Sequence, residues 1–142
     1  MVETHTIQLQ TEGRSHIIDI TSRVKEIVER SKIDSGIVTI FVKASTAALM
    51  INENEAGLLS DFSALMEDLV PQGRNYKHDL KWGESNAHSH LRSILTGHSL
   101  TIPLVGKKLT LGTWQQIFLI DFDIRPRTRE VVIQIIGEKE GA

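Results

Sequence analysis

The chain contains no cysteine in its 142 residues. That absence excludes thiol nucleophiles, thiolate metal sites and a disulfide scaffold, and it suits a reducing compartment. No charge of one sign dominates: 16 Lys and Arg stand against 18 Asp and Glu, a formal net charge of −2. The basic residues are spread along the sequence, whereas a nucleic-acid backbone asks for a concentrated basic stripe, so no nucleic-acid partner is expected. No apolar run approaches the about 20 residues that cross a membrane. The opening MVETHTIQLQ lacks the basic start and apolar middle of a secretory leader. Repeats, low-complexity tracts and linkers are also missing. The expectation is a soluble cytoplasmic protein of one domain, residues 1–142, without membrane contact. A chain this long buries roughly 70% of its unfolded surface and folds without a metal or disulfide staple.

What is present reads as an α+β domain, mainly antiparallel, with two main helices and one short one. HTIQLQT (His5–Thr11) alternates as a half-buried strand does, and Gly13 marks a turn before SHIIDI. TSRVKEIVERS places Val24, Ile27 and Val28 at helical spacing, with Thr21 or Ser22 as cap and Gly36 closing the unit. IVTIFV (Ile37–Val42) has the β-branched content of a central strand. After a second extended segment, a helix is expected over Glu55–Leu69. Its stripe of Leu58, Leu59, Phe62, Leu65, Met66 and Leu69 should face the core, and Pro71 and Gly73 stop it. A loop follows, then a short helix around HSHLRSIL that ends at Gly97. SLTIPLVGKKLTL reads as a hairpin turning at Gly106-Lys107, with Pro103 at an edge or irregular position. TWQQIFLIDFD and REVVIQIIG are long strands, apolar on both faces over Ile117–Ile120 and over Val131–Ile136 apart from Gln134. Such strands need cover on both sides.

Half of the six histidines lie in NYKHDLKWGESNAHSH, at His78, His88 and His90. Imidazole suits zinc, and a catalytic zinc uses three protein ligands and one open position. Two histidines at i and i+2 share a face on a strand, but on a helix they stand about 200° apart. Only an extended segment, or the ragged first turn of a helix capped by Asn86, lets His88 and His90 meet one ion. Three ordinary loop histidines are the other reading, and spacing leaves both open. His5, His16 and His98 read as surface or hydrogen-bonded positions.

Other polar groups fall into candidate sets. Arg125, Arg127 and Arg129 alternate after DFD and would share one face of an extended segment, where their forks suit phosphate oxygens or neighbouring carboxylates. Ser45 and Thr46 follow a buried strand among small residues and offer paired hydroxyls, without the pattern of a P-loop or a serine-hydrolase elbow. Glu53 can act as general base or metal ligand, or simply as a solvated helix-entry carboxylate. Trp114 is expected in a core or an interface. Gln115 shares strand parity with Asp121 and would need a partner if buried.

STAALMINENE (Ser45–Glu55), YKH (Tyr76–His78), NAHSHL (Asn86–Leu91), GHSLTIPLVGKKLTLGTWQQIFLIDFD (Gly97–Asp123) and RPRTREVVIQIIG (Arg125–Gly137) together resemble the YjbQ-like family, known as secondary thiamine-phosphate synthases. The resemblance spans nearly the whole chain. It implies a compact α+β domain that assembles as a homotrimer. It also implies a divalent metal ion, zinc or magnesium, in a polar pocket near subunit contacts, with His78, His88 and His90 as ligands. The implied reaction joins hydroxymethylpyrimidine diphosphate to a thiazole phosphate and releases pyrophosphate. Its catalytic candidates are Glu53, Ser45 and Thr46, and its candidates for holding the phosphorylated substrate are Asn86, Gln115, Asp121, Arg125, Arg127 and Arg129. Relatives carry His or Gly where this chain has Ala44, so it lacks an imidazole found in the histidine-bearing branch. The same residues would also serve a non-catalytic metal or small-ligand binding trimer, or a hydrolase in which Glu53 activates a water on a His-bound metal.

Overall fold

The computed structural model describes residues 1–82 and 85–139, apart from the side chain of Trp82. Strands β1 (Val2–Thr11) and β2 (His16–Asp19) lead into helix α1 (Thr21–Arg30). Strands β3 (Ser35–Val42) and β4 (Ala47–Asn52) precede α2 (Ala56–Leu69), α3 (Lys77–Trp82) and α4 (Ala87–Thr96). Then come β5 (Ser99–Val105), β6 (Lys108–Leu109), β7 (Gln116–Asp121) and β8 (Arg127–Glu138). The larger sheet runs β1-β8-β3-β5-β6 and the smaller β2-β7-β4. Every pairing is antiparallel, so the expected α+β class holds. Among the described residues no helix is long and apolar enough to cross a membrane.

The helix count differs from the expectation. Helix α4 equals α1 at 10 residues, and α3 forms inside the stretch read as loop. The cause is visible in the residues. Leu80, the aliphatic residue of α3, is 79% exposed, so this helix carries no buried stripe for hydrophobic periodicity to reveal.

Alternation explains the core. Val131, Ile133 and Ile135 of β8 join Val38 and Ile40 of β3, Ile117 and Leu119 of β7, and Val24 and Val28 of α1 in one buried cluster. Each fully buried aliphatic side chain there contributes about 1.5–3 kcal/mol. The other face of β7 turns Ile120, with Phe122 just beyond it, onto Ala48 and Met66 of α2. The smaller sheet thus lies between the larger sheet and α2, which is why β7 is apolar on both faces.

For β8 that expectation is met on one side only. Cross-strand neighbours Val2, Ile136 and Ile37 form a row on the outer face of the larger sheet, and Val132 pairs with Phe41 four residues along. Ile136 is 43% and Phe41 44% exposed. The stripe of α2 departs further from its expected core role: of its six residues Met66 alone is buried, while Leu58, Leu65 and Leu69 are exposed.

Three local details sharpen the boundaries. Glu55 is the N-cap of α2 rather than its first residue, accepting hydrogen bonds from Gly57 N at 3.0 Å and Leu58 N at 2.6 Å. Asp19, not Thr21 or Ser22, serves the start of α1 by accepting from Thr21 N at 2.9 Å. Gly36 lies within β3 instead of ending the preceding unit, paired with Gly137 where a Cβ would meet Ile136 O at 2.0 Å. Pro103 sits inside β5, but its carbonyl accepts from Thr110 N on the β6 side, so its missing N–H falls at the end of that short edge ladder. The turn at Gly106 and Lys107 forms as expected, with both φ angles positive at 55° and 64°.

Candidate functional site

At the corner where β7 gives way to β8, two buried carboxylates face two arginines. Asp121 is fully buried at the end of β7. Arg129 grips it with both arms of its fork, Nε to Oδ2 at 2.7 Å and Nη2 to Oδ1 at 3.0 Å. The same Nη2 donates to Thr46 Oγ1 at 2.7 Å, and Thr46 donates to Asp123 Oδ2 at 2.9 Å. Arg127 Nε reaches Asp123 Oδ2 at 2.9 Å, and Thr11 donates to Asp121 Oδ2 at 2.5 Å. Burial raises the Asp123 carboxyl, but the Ile124 amide, the Thr46 hydroxyl and Arg127 outweigh it and hold it below the ordinary range. This network joins β1, β4, β7 and β8. Among the described residues it leaves no buried side-chain polar atom unpaired.

Of the arginine triplet, Arg129 spends its fork on Asp121, Arg127 gives its Nε to Asp123, and Arg125 lies on the exposed turn before β8. Thr46 is committed to the network while Ser45 is exposed. Asp121 is a partner of arginine here. Gln115 precedes β7, is exposed, and turns back to accept from Gly112 N at 2.8 Å.

Helix α4 sorts the histidines. Because His88 and His90 both lie within it, they point to different sides. His88 is 4% exposed and faces a cleft of about 270 Å³, shared with Ser63 and Glu67 of α2 and with Arg14. His90 faces a second cleft of about 340 Å³ with Tyr76, Lys77 and His78. The His78 and His90 rings meet edge to face, with centroids 4.7 Å apart. Burial lowers the pKa of both His88 and His90. Arg92 pushes His88 further down, and His78 does the same to His90, whose ring also bonds to the Ser45 backbone.

Asn86 is the N-cap of α4 but makes no side-chain capping bond. Its Oδ1 lies 3.1 Å from His78 Nε2 instead, and Asp79 caps the helix by accepting from Ala87 N at 2.9 Å. The structure thus brings together His78, His90 and Asn86 and leaves His88 apart. Among the described residues no three His, Cys, Asp or Glu side chains are gathered where one ion could bind. Glu53 lines a third cleft of about 370 Å³ with Asp19, Trp114 and Gln116, away from the histidines in this chain. Trp114 is 71% exposed there, so it is no core residue.

Sequence reasoning missed Arg92, Glu67, Asp79 and Lys77. Arg92 is buried, donating to Val70 O at 3.0 Å and to Glu67 Oε2 at 2.5 Å, and nothing in SHLRSIL signals that. Asp123 was legible in principle, because it shares parity with Asp121 in DFD.

Fold and site define a class: a small antiparallel α+β protein whose central helix carries imidazoles into two separate clefts. A family model described as "UPF0047 protein YjbQ-like" matches residues 5–138, and the chain belongs to that family. It is 42% identical over 137 residues to a UPF0047 protein of Methanothermobacter thermautotrophicus, covering 96% of this chain and 94% of that one. A UPF0047 protein of Archaeoglobus fulgidus is 45% identical over 130 residues, covering 92% and 98%. Among solved structures, a YbjQ-like protein of unknown function from Sulfolobus solfataricus P2 superposes with a TM-score of 0.88 at 35% identity, covering 97% of this chain and all of that one. A hypothetical protein of Aeropyrum pernix K1 gives 0.89 at 36% identity, over 96% and 99% of the two chains.

Proposed function

We propose that the protein is an enzyme of the thiamine-phosphate-synthase type, with the cleft between α3 and α4 as its reaction centre. In that reaction the bond from the pyrimidine methylene carbon to the diphosphate oxygen breaks, and diphosphate leaves with the electron pair. The thiazole nitrogen then supplies its lone pair to form the new C–N bond. The chemistry asks for an apolar cradle around a developing pyrimidine cation and for positive charge beside the leaving group.

One observation carries the reading: the second cleft combines both requirements. Ala87, Leu91 and the ring of Tyr76 give an apolar wall, while Lys77, His78 and His90 stand at the same opening. Tyr76 is fixed by donating its hydroxyl to Pro71 O at 2.7 Å. Lys77 neutralises the leaving diphosphate with His78 beside it, and His90, whose pKa is lowered by burial and by His78, is a hydrogen-bond partner at the same opening. Within one chain this cleft supplies two imidazoles, fewer than the three ligands of a catalytic zinc. These residues alone therefore do not fit the metal, and no step is assigned to it. A metal at this place would take a further ligand from a second copy.

Assembly of copies, as a homotrimer, belongs to the same proposal. It is supported by the uncovered outer row of Val2, Ile136, Ile37 and Phe41 and by the exposed Ile94 and Leu95 of α4. The hydrolase reading with Glu53 as base has less support, because Glu53 lines a different cleft.

The deciding assay incubates purified protein with both substrates and measures thiamine phosphate and pyrophosphate. Product should require both substrates and fall sharply in Lys77→Ala and His90→Gln. Product no higher than in a heat-killed control ends the synthase reading. Elemental analysis of untagged protein, with His78→Ala beside it, tests the metal.

A further inference from the structure

The cleft on the other side of α4 has a chemistry of its own. Its two carboxylates are already neutralised. Glu67 is bound by Arg92, which holds its pKa down, and Asp123 is held by Arg127 and Thr46. The donors around them are not committed in the same way. Among the described residues the side chains of Arg14, Ser15, Ser63 and Gln72 make no hydrogen bond, yet all four line this space of about 270 Å³. His88 completes the lining from the floor, with its ring 96% covered by the fold. Free donors without competing acceptors, gathered around a small volume, suit a compact anion.

The backbone supplies a second, independent observation. Gly13, Arg14 and Ser15 all have positive φ, at 76°, 56° and 65°, and two of them are not glycine. Arg14 and Ser15 are the central pair of a tight turn closed by His16 N, which donates to Gly13 O at 3.2 Å, and the turn accounts for their positive φ. The loop is held by the chain after β7: Arg14 N donates to Asp123 O at 2.6 Å, and a Cβ on Gly13 would meet Asp123 O at 2.6 Å and Arg125 O at 2.7 Å. This close approach fixes Arg14 and Ser15 at the mouth of the cleft.

We propose that the cleft between the β1–β2 loop, α2 and α4 is a second binding site, which takes the phosphate group of a small anion on Arg14, Ser15, Ser63, Gln72 and His88. Arg14 supplies the charge, the two hydroxyls and the amide supply neutral donors, and Arg92 stays with Glu67. His88, 4% exposed, closes the floor of the cleft and offers one ring nitrogen as a hydrogen-bond partner. The inference is independent of the reaction assigned to the His78–His90 cleft.

Calorimetric titration of the full chain with inorganic phosphate and with a simple phosphomonoester tests it. Both should bind, and whichever binds tighter assigns the source, free ion or organic phosphate. Arg14→Ala and Ser63→Ala should each weaken binding about tenfold, the scale of one charge-assisted hydrogen bond, while Lys43→Ala, which lines neither cleft, should leave it unchanged. His88→Gln should weaken binding as well. No binding at millimolar phosphate, or binding that survives Arg14→Ala and Ser63→Ala, overturns the proposal.

Discussion

Replacing Arg129 with Met tests whether the buried network at the β7–β8 corner is structural. The side chain of Arg129 is 11% exposed and that of Asp121 fully buried, so the substitution strands a carboxylate that has lost both arms of its partner. Removing one member of a buried pair costs about 3–5 kcal/mol. For a domain near 150 residues each kcal/mol moves Tm by about 2–4 °C, which gives a drop of roughly 6–20 °C. Arg127→Ala makes the contrast: its side chain is 37% exposed, so its pair with Asp123 should be worth about 1 kcal/mol or less. Differential scanning calorimetry of the two variants measures both values. The double variant Asp121→Asn with Arg129→Met should recover part of the loss, because no buried charge is then left alone. The reasoning fails if Arg129→Met melts no lower than Arg127→Ala, or if the two substitutions in the double variant simply add.

Other outcomes are expected from the same structure. The pKa values of His88 and His90 are lowered in the folded chain, so as pH falls through the ordinary imidazole value of about 6.5 the unfolded chain takes up protons first. Stability is therefore full above that pH and declines below it, and chemical denaturation of His88→Gln across pH 5 to 8 should give a flatter profile. Glu55→Ala removes two hydrogen bonds from the first turn of α2 and should cost about 1 kcal/mol, read as a lower urea midpoint without a change of slope. Phe41→Glu places charge in the uncovered outer row of the larger sheet. Sedimentation velocity should find it shifted to monomer where the unaltered chain assembles; an unchanged distribution removes that row from the interface.

How much of this was readable in the residues depended on the kind of signal. Strands declared themselves where alternation met a buried face: IVTIFV and REVVIQIIG paired as β3 and β8, and the Gly106-Lys107 turn formed between β5 and β6. Periodicity failed where apolar residues have no cover within one chain. Leu58, Leu65 and Leu69 have the spacing of a core stripe and remain exposed on α2. The site was half legible. Asp121 and the arginines were visible as chemistry, but their pairing across eight positions, and that of Asp123 with Arg127 across four, depends on how the chain turns between β7 and β8. Arg92 and Glu67 lie 25 positions apart on different helices, a relation no local pattern encodes.

The two-residue spacing of His88 and His90 carries the deepest consequence. In an extended segment it would have put both rings on one face and made a shared ion the natural reading. The helix that Asp79 caps at Ala87 turns them apart instead. One ring enters a cleft of uncommitted donors, and the other meets His78. A single shared site would make His88→Gln and His90→Gln lose the same property together. Two sites divided by α4 predict separate failures: His88→Gln should weaken phosphate binding and keep the condensation rate, and His90→Gln should lose the condensation rate and keep the phosphate binding that depends on Arg14. Parallel loss in both variants, with melting temperatures unchanged, would show that the helix does not divide the chemistry.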